Sequence, residues 1–468
     1  MNSREFLGNA AVAVFAQGVT LLLSCVTALV VPKSLGVTEY GYWQLFMFYA
    51  GYVGFFHFGL NDGVYLQNGG RLRDELDARP IVSQLVFGTA VQLLMGLVIV
   101  VAALASPASF ERTFVICATA FVMVAKNAAL FLGYLFQSMN ETRLYSASCI
   151  LERVVFGVPL VALIAVGCAS FEPFVAAYCL STLSQLLFCI FKARDILAAR
   201  PLPLPASARL CVQSVRVGIK LMLANIAGQL VIGVTRLVVD AAWGIETFGM
   251  LSFSLTLVTF ALSFVVQVAM VLFPALRRVT TGKLRTFVRT AGTAVSLVMP
   301  CVYLLYYPLA WLLGLWLPAY AESFTWFAWL LPICVFDCKT SLVSSTYLKV
   351  TRREGLLFRV NAAMTIASAA GSLVSVFVLD SLVVLIAVMV AAIVVRSLVF
   401  ECLVASLADV ACDGTLIVGE LVVTAVFLLS TAFAPSVLAQ VALTACAYAL
   451  FLIVNRRDLI GLFARAIR

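Results

Sequence analysis

Apolar stretches long enough to cross a bilayer follow one another almost without interruption along this chain. A helix needs roughly 20 apolar residues to cover the hydrocarbon layer. On that measure the spans fall near 10–31, 41–66, 81–105, 113–138, 147–167, 171–191, 217–242, 247–272, 290–315, 322–348, 360–379, 382–403, 416–434 and 436–454. The pattern predicts an all-α integral membrane protein with about fourteen transmembrane helices.

Basic residues collect in every second connection: Arg4; Arg71, Arg73 and Arg79; Arg143; Lys192, Arg194, Arg200, Arg209 and Arg216; Arg277, Arg278, Lys283, Arg285 and Arg289. The set continues with Lys349, Arg352, Arg353 and Arg359, and ends with Arg456, Arg457, Arg465 and Arg468. The intervening connections hold only Lys33 and Arg112. Positive charge stays on the cytoplasmic side of inserted helices, so this asymmetry predicts a multi-pass protein of the cell membrane with both termini cytoplasmic.

Composition agrees with that reading. The chain is 63% hydrophobic and 11% charged, with mean hydropathy +1.08, whereas soluble domains carry about 25% charged residues. Its net charge of +9 rests on basic residues dispersed over five connections and both termini. That dispersal argues for contact with anionic lipid and against nucleic-acid binding. Most of the 13 cysteines sit inside spans without paired spacing in an outer loop, so no disulfide framework is expected. Cys334 and Cys338, one helical turn apart and without accompanying His, fit core packing better than metal binding. No metal or cofactor is expected. The run 10–31 exceeds the apolar core of a signal peptide and leads into further spans, so it is read as the first transmembrane helix.

One long internal connection, 192–216, carries Pro201-Leu202-Pro203-Leu204-Pro205 and favours an extended linker. It divides the first twelve spans into six and six. A repeat supports the division: Gly36-Val37-Thr38-Glu39-Tyr40-Gly41 follows span one, and Gly244-Ile245-Glu246-Thr247-Phe248-Gly249 follows span seven. Six spans per half gives both halves one orientation, a parallel pseudo-repeat with a cavity between the halves. The expected organisation is an N-terminal six-helix lobe at 1–191, a cytoplasmic linker at 192–216, and a second six-helix lobe at 217–403. A two-helix hairpin with a basic tail follows at 404–468.

Charges inside spans carry the functional expectation. Each costs about 2.5–3.5 kcal/mol on insertion scales, so such side chains face a bundle interior or a watery cavity. Lys126 lies near the middle of span four. Arg153 sits beside Glu152 in span five, and Arg236 and Asp240 in span seven are spaced i,i+4 on one face. Asp337 and Lys339 lie two apart in span ten, on different faces, while Arg396 lies in span twelve with Glu401 nearer the cytoplasm. Lys220 is near a span end and reads as an interfacial anchor. Lys126, Arg153, Arg236, Asp240, Lys339 and Arg396 are the expected substrate path. Asp62 and Asp337 are the candidates for ion coupling. His57, the only histidine, reads as a hydrogen-bonded packing residue. Gly59 and Gly63 fit a close helix contact, and Pro159, Pro300 and Pro332 are expected to bend their spans. Deep Lys and Arg together match a diphosphate headgroup, Arg through paired hydrogen bonds and Lys as a point charge.

Short motifs bring these observations to a family. Pro32-Lys33-Ser34-Leu35-Gly36, followed by Glu39-Tyr40-Gly41, resembles the start of polysaccharide repeat-unit flippases of the O-antigen (Wzx-like) type. Gly59-Leu60-Asn61-Asp62-Gly63 and Leu272-Phe273-Pro274-Ala275-Leu276 are similar to two further motifs of that family. It belongs to the multidrug/oligosaccharidyl-lipid/polysaccharide (MOP) exporter superfamily. The resemblance implies two six-helix lobes that alternate access. It also implies translocation of undecaprenyl-diphosphate-linked oligosaccharide across the cytoplasmic membrane, beside a glycan polymerase and glycosyltransferases. A multidrug exporter of the same superfamily is the first alternative, although its lumen would favour acidic and aromatic residues. A membrane polymerase or glycosyltransferase is the second, and the brief outer loops disfavour it. The chain is accordingly read as a transporter, with no catalytic residue assigned.

Overall fold

A computed structural model describes residues 23–276 and 281–466. Among them the protein is helical throughout, without strands. Among the described residues eleven segments are long and apolar enough to cross a membrane. One of these, Ile226–Ser263, holds two of the expected spans, parted at Gly244. The first expected span lies mostly outside the described residues.

The helices are α1 (Val31–Tyr52), α2 (Leu60–Asn68), α3 (Ala78–Ala105), α4 (Phe110–Ser138), α5 (Thr142–Ala165), α6 (Glu172–Lys192) and α7 (Leu204–Leu276). They continue as α8 (Thr281–Val298), α9 (Val302–Trp316), α10 (Ala321–Leu330), α11 (Pro332–Lys339), α12 (Thr346–Val350), α13 (Glu354–Phe377) and α14 (Leu382–Ala408). The chain ends with α15 (Gly414–Phe433), α16 (Val437–Val454) and α17 (Arg456–Ala466).

Outward faces show what surrounds these helices. Leu93, Leu94, Leu97, Val98, Val101 and Leu104 of α3 are exposed together. An apolar stripe of that length is unfavourable in water and at home against lipid, where a helix satisfies its own backbone. At the membrane edges the freed N–H groups are capped. The Ser109 hydroxyl accepts from the Arg112 amide, Ser436 from Ala439, and Asp413 from Thr415.

Two of the three prolines expected to bend their spans break their helices, while Pro308 is carried inside α9. Pro300 lies in a tight turn, 299–301, between α8 and α9, and Pro332 opens α11. Pro159 is accommodated inside α5. Span two is broken without proline: Phe58 (φ 49°) and Gly59 (φ 84°) are both left-handed and separate a tight turn, 53–57, from α2.

The repeated motif has a backbone meaning. Gly36 (φ 74°, ψ 178°) and Gly244 (φ 80°, ψ −174°) share one conformation, at which two helical segments meet end to end. That region is open essentially to glycine alone, because a Cβ there collides with its own backbone. Neither glycine is crowded by a neighbour, so the requirement is conformational and not spatial.

Contacts divide the chain into two compact units, Met1–Ile226 and Ala227–Arg468. The sequence places the start of span seven near 217, whereas α7 begins at Leu204. Its first turn accommodates Pro205, whose missing N–H is no loss there. Residues 204–226 belong to the first unit because α7 packs almost backbone to backbone on the broken span. A Cβ on Gly63 would lie 2.0 Å from the Ser214 carbonyl oxygen, and one on Gly218 would lie 2.0 Å from the Gly59 carbonyl oxygen. Here Gly59 and Gly63 make the close contact expected of them, with α7 as partner.

In the first unit α5 packs along α6, and α4 touches α2, α3, α5 and α6. In the second, α13 packs along α14, and α11 lies against α14. Segment Pro318–Val350 holds the most enclosed apolar stretch among the described spans. Central helices of this kind carry the polar residues that lipid-facing helices cannot.

Candidate functional site

Polar side chains within the spans fall into clusters, and each cluster lies inside one unit. In the first unit Lys126 of α4 donates to the Glu152 carboxylate of α5 and, at 3.2 Å, to the Gln185 amide oxygen of α6. The Lys126 and Glu152 side chains keep 21% and 15% of their surface. The pair is therefore partly open instead of sealed in the core. Arg153, next to Glu152, is half-buried and forms no ion pair among the described residues.

The neighbouring Asn127 holds the broken span. Its amide donates to the Val53 carbonyl at 2.9 Å, and its own backbone carbonyl accepts from Asn61 at 3.1 Å. The first bond satisfies a backbone carbonyl beside the break, which lipid could not do, and the second, from the Asn61 side-chain amide, ties α2 to α4. His57 has the packing role expected of it, with Nδ1 accepting the Gly59 amide at 3.0 Å. Its Nε2 stands 3.8 Å from Asp62, which is buried. Lys126 and the motif around Asp62 thus meet at α4, linked through Asn127.

In the second unit Arg236 donates to the Ser252 hydroxyl at 2.8 Å and lies over the Phe248 ring, 5.0 Å from its centroid. Phe248 belongs to the repeated motif, so the same segment that contains the Gly244 break also holds Arg236. Asp240 is buried one turn further along α7.

Asp337 and Lys339 face different partners, as their spacing requires. Arg396 of α14 donates to Asp337 and, at 3.1 Å, to the Gly228 carbonyl. Lys339 stands 2.7 Å from Glu401 of α14 and 2.9 Å from Glu420 of α15. Only 4% of the Lys339 side chain and 1% of Glu420 is exposed. Directly after Lys339 the helix widens into a π turn, Thr340–Ser345, a local irregularity that recurs at functional sites. The sequence expectation omits Glu420, although it is the sole ionisable residue of its span and the intramembrane-charge rule marks it. Its meaning depends on Lys339, 81 residues away.

Two acidic residues expected at ion coupling therefore each face a base, Asp62 toward His57 and Asp337 toward Arg396. Of the expected substrate-path cations, Lys339 and Arg396 are held most deeply. Lys126, Arg153 and Arg236 keep more access.

The profile of the family described as "polysaccharide biosynthesis protein" matches residues 6–280, more than half of the chain. This chain belongs to that family. Its fold is shared with solved transporters. The lipid II flippase MurJ, in an inward closed conformation, aligns over 96% of this chain and 99% of its own at TM-score 0.66 and 11% identity. An inward-facing multidrug resistance MATE family transporter of the MOP superfamily aligns over 83% of this chain and 96% of its own, at TM-score 0.61 and 12% identity. A MATE protein in complex with MaL6 aligns over 85% and 96%, at TM-score 0.54 and 13% identity. Identities this low establish the fold alone, one shared with these solved membrane transporters. A search of curated proteins returns no significant match.

Proposed function

We propose that this protein carries a polyprenyl-diphosphate-linked oligosaccharide across the cytoplasmic membrane by alternating access, supplying repeat units for polysaccharide assembly. Membership of the polysaccharide biosynthesis family is the observation that carries the reading. The fold supports it, being shared with a protein that flips lipid II and with drug transporters. Between those relatives, the buried chemistry favours an anionic lipid-linked cargo. A diphosphate headgroup needs cations that can be reached, and Lys126, Arg153 and Arg236 are the accessible ones.

The Lys126–Glu152 pair suits such a cycle. An empty carrier must reorient without paying for an isolated ammonium in low dielectric, and Glu152 provides the counter-charge. Arriving phosphate oxygens then exchange with the carboxylate as partners of Lys126. Arg153 and Arg236 add forked donors that match phosphate geometry. Lys339 and Arg396, locked by carboxylates, maintain the second unit and do not contact the headgroup. Asp62 and Asp337 serve the same structural purpose in this scheme. Glycosyltransferases and a glycan polymerase are the partner enzymes the reaction requires on either side of the membrane.

Reconstituted vesicles test the proposal. Purified protein is expected to move a fluorescent polyprenyl-diphosphate glycan between leaflets, with neutralisation of Lys126 or Arg236 slowing transfer. Efflux of organic cations from the same vesicles, with no glycan transfer, would replace the flippase by a drug exporter.

A further inference from the structure

Around Lys339 the charges do not balance. Two carboxylates, Glu401 and Glu420, share one ammonium. Glu420 is 1% exposed, and its Oε1 is buried without a hydrogen-bond partner. An ionised carboxylate oxygen left bare in a membrane interior is strongly unfavourable. Something positive or proton-donating belongs beside it.

Lys339 and Glu401 line a cavity of about 610 Å³ together with Ser296, Arg285, Arg289 and the acidic turn Asp409–Asp413, and Glu420 is joined to that lining through Lys339. Ser296 is 1% exposed, and its hydroxyl also lacks a partner. The acidic turn belongs to a connection on the basic side of the protein. Water and ions from that side can therefore approach the cluster.

Further charges come from α8, from the turn before α15 and from α17, which packs on α8. From α8 come Arg285, paired with Asp409 at 2.5 Å, and Arg289. Asp413 caps α15 itself. From α17 comes Asp458, which shares a small adjoining cavity with Arg289 and Arg457. The α16 helix brings no charge, and α10 brings only the exposed Glu322 at its first turn. Around the two cavities five carboxylates therefore face four cations. The uncompensated charge is one, and the oxygens without a hydrogen bond, Glu420 Oε1 and Glu401 Oε2, place it on the carboxylate pair that shares Lys339.

We propose that Glu420 and Glu401, with Lys339 between them and Ser296 on the cavity wall, form a binding site for a single monovalent cation, either a proton or Na⁺, filled from the basic side. The site joins α11 and α14 to α15, the first helix of the C-terminal pair. Loading neutralises the carboxylate pair and strengthens the tie between α15 and α14. Emptying leaves two carboxylates competing for Lys339 and loosens it. The C-terminal helices become the ion-sensing part of the molecule. The binding assignment stands by itself, and its coupling to glycan transfer rests on the flippase reading.

Purified full-length protein in lipid nanodiscs separates the two occupants. If the cation is Na⁺, radiolabelled sodium binds saturably near one per chain. Affinity then falls about tenfold or more in Glu420→Gln and Glu401→Gln, because the number of charged ligands sets the affinity of a cation site, while exposed Glu322→Gln binds as the parent does. If the cation is a proton, sodium does not bind, and infrared spectra show a carboxylic acid band that titrates with pH and is lost in Glu420→Gln or Glu401→Gln. A parent protein with neither sodium binding nor a titrating carboxyl band overturns the site, and this outcome needs no variant to fold. So does binding that survives both substitutions unchanged. In glycan-loaded vesicles Glu420→Gln is expected to lose the dependence of transfer on the pH or sodium gradient. If the parent binds the cation but moves no glycan, the site is upheld and the flippase reading fails.

Discussion

Exchanging the charges of Lys126 and Glu152 distinguishes a residue that handles substrate from one that only packs. Replacing Lys126 with Ala leaves Glu152 with 15% of its surface exposed and no cation in its place. Breaking a fully buried pair costs 3–5 kcal/mol, and partial access to solvent lowers the expectation here to about 2–3 kcal/mol. That is on the order of a hundredfold in the folded-to-unfolded ratio. Gln185 loses the ammonium as a donor to its oxygen, and turning its amide toward Glu152 would offer only a neutral hydrogen bond in place of a charge. The double variant Lys126→Glu with Glu152→Lys rebuilds the pair from the opposite helices, and stability is expected to return to within about 1 kcal/mol of the parent. Two assays are read together: thermal loss of the monodisperse peak in detergent, and surface glycan in a strain lacking its own flippase. Stability restored without glycan export is the expected result, since the headgroup meets the ammonium at the wrong helix. Restoration of both by the swap would reduce Lys126 to a packing residue. An Ala variant as heat-stable as the parent would refute the energetic reasoning itself.

Gly36→Ala and Gly244→Ala are each expected to lose about 1–3 kcal/mol through backbone strain alone, whereas Gly292→Ala in α8, with open space around it, should be neutral or slightly stabilising. Equal melting of all three would deny that the two repeat glycines share a required conformation. Gly63→Ala must drive α2 and α7 apart, since its Cβ meets backbone at 2.0 Å. A cost of about 3 kcal/mol or more is expected, checked as loss of folded protein on extraction. Arg73 clamps three basic-side connections, reaching Glu141 at 2.6 Å and Asp195 at 2.8 Å. Partial burial alone would raise the Asp195 carboxyl, but its hydrogen bond and charge contact with Arg73 outweigh this and hold it below the usual value. A lowered carboxyl contributes stability above its unfolded pKa, near 4, and that contribution disappears as pH falls through the lowered folded value. Arg73→Ala should therefore cost only about 1 kcal/mol near neutrality, less in high salt. The difference from the parent should vanish in acid below the ordinary carboxylate range, which a series of pH-dependent melts will show.

Much of this molecule was legible in one dimension. Hydropathy counted the spans, because transfer into lipid is close to a sum over the residues of each helix. Alternating basic loops set the expected sidedness for the same additive reason. The Gly36 and Gly244 motifs were visible as letters and proved to mark one glycine-only backbone state, since local conformation answers to local sequence. What the letters left open was partnership. Asp337 and Lys339 were rightly placed on different faces, yet nothing in their span says that one meets Arg396 and the other Glu401 and Glu420. Ion pairing inside a membrane depends on how each helix is rotated and which helix lies beside it, and both are decided by packing across dozens of intervening residues. The break at Phe58–Gly59 is not legible in the sequence for a related reason: Asn127, on another helix, supplies the donor for the Val53 carbonyl beside it and accepts from the Asn61 side chain. Sequence determined that this chain crosses the membrane many times and carries charge inside it. Tertiary structure alone decided which of those charges neutralise one another, and which buried carboxylate oxygens, Glu420 Oε1 and Glu401 Oε2 among the described residues, make no hydrogen bond.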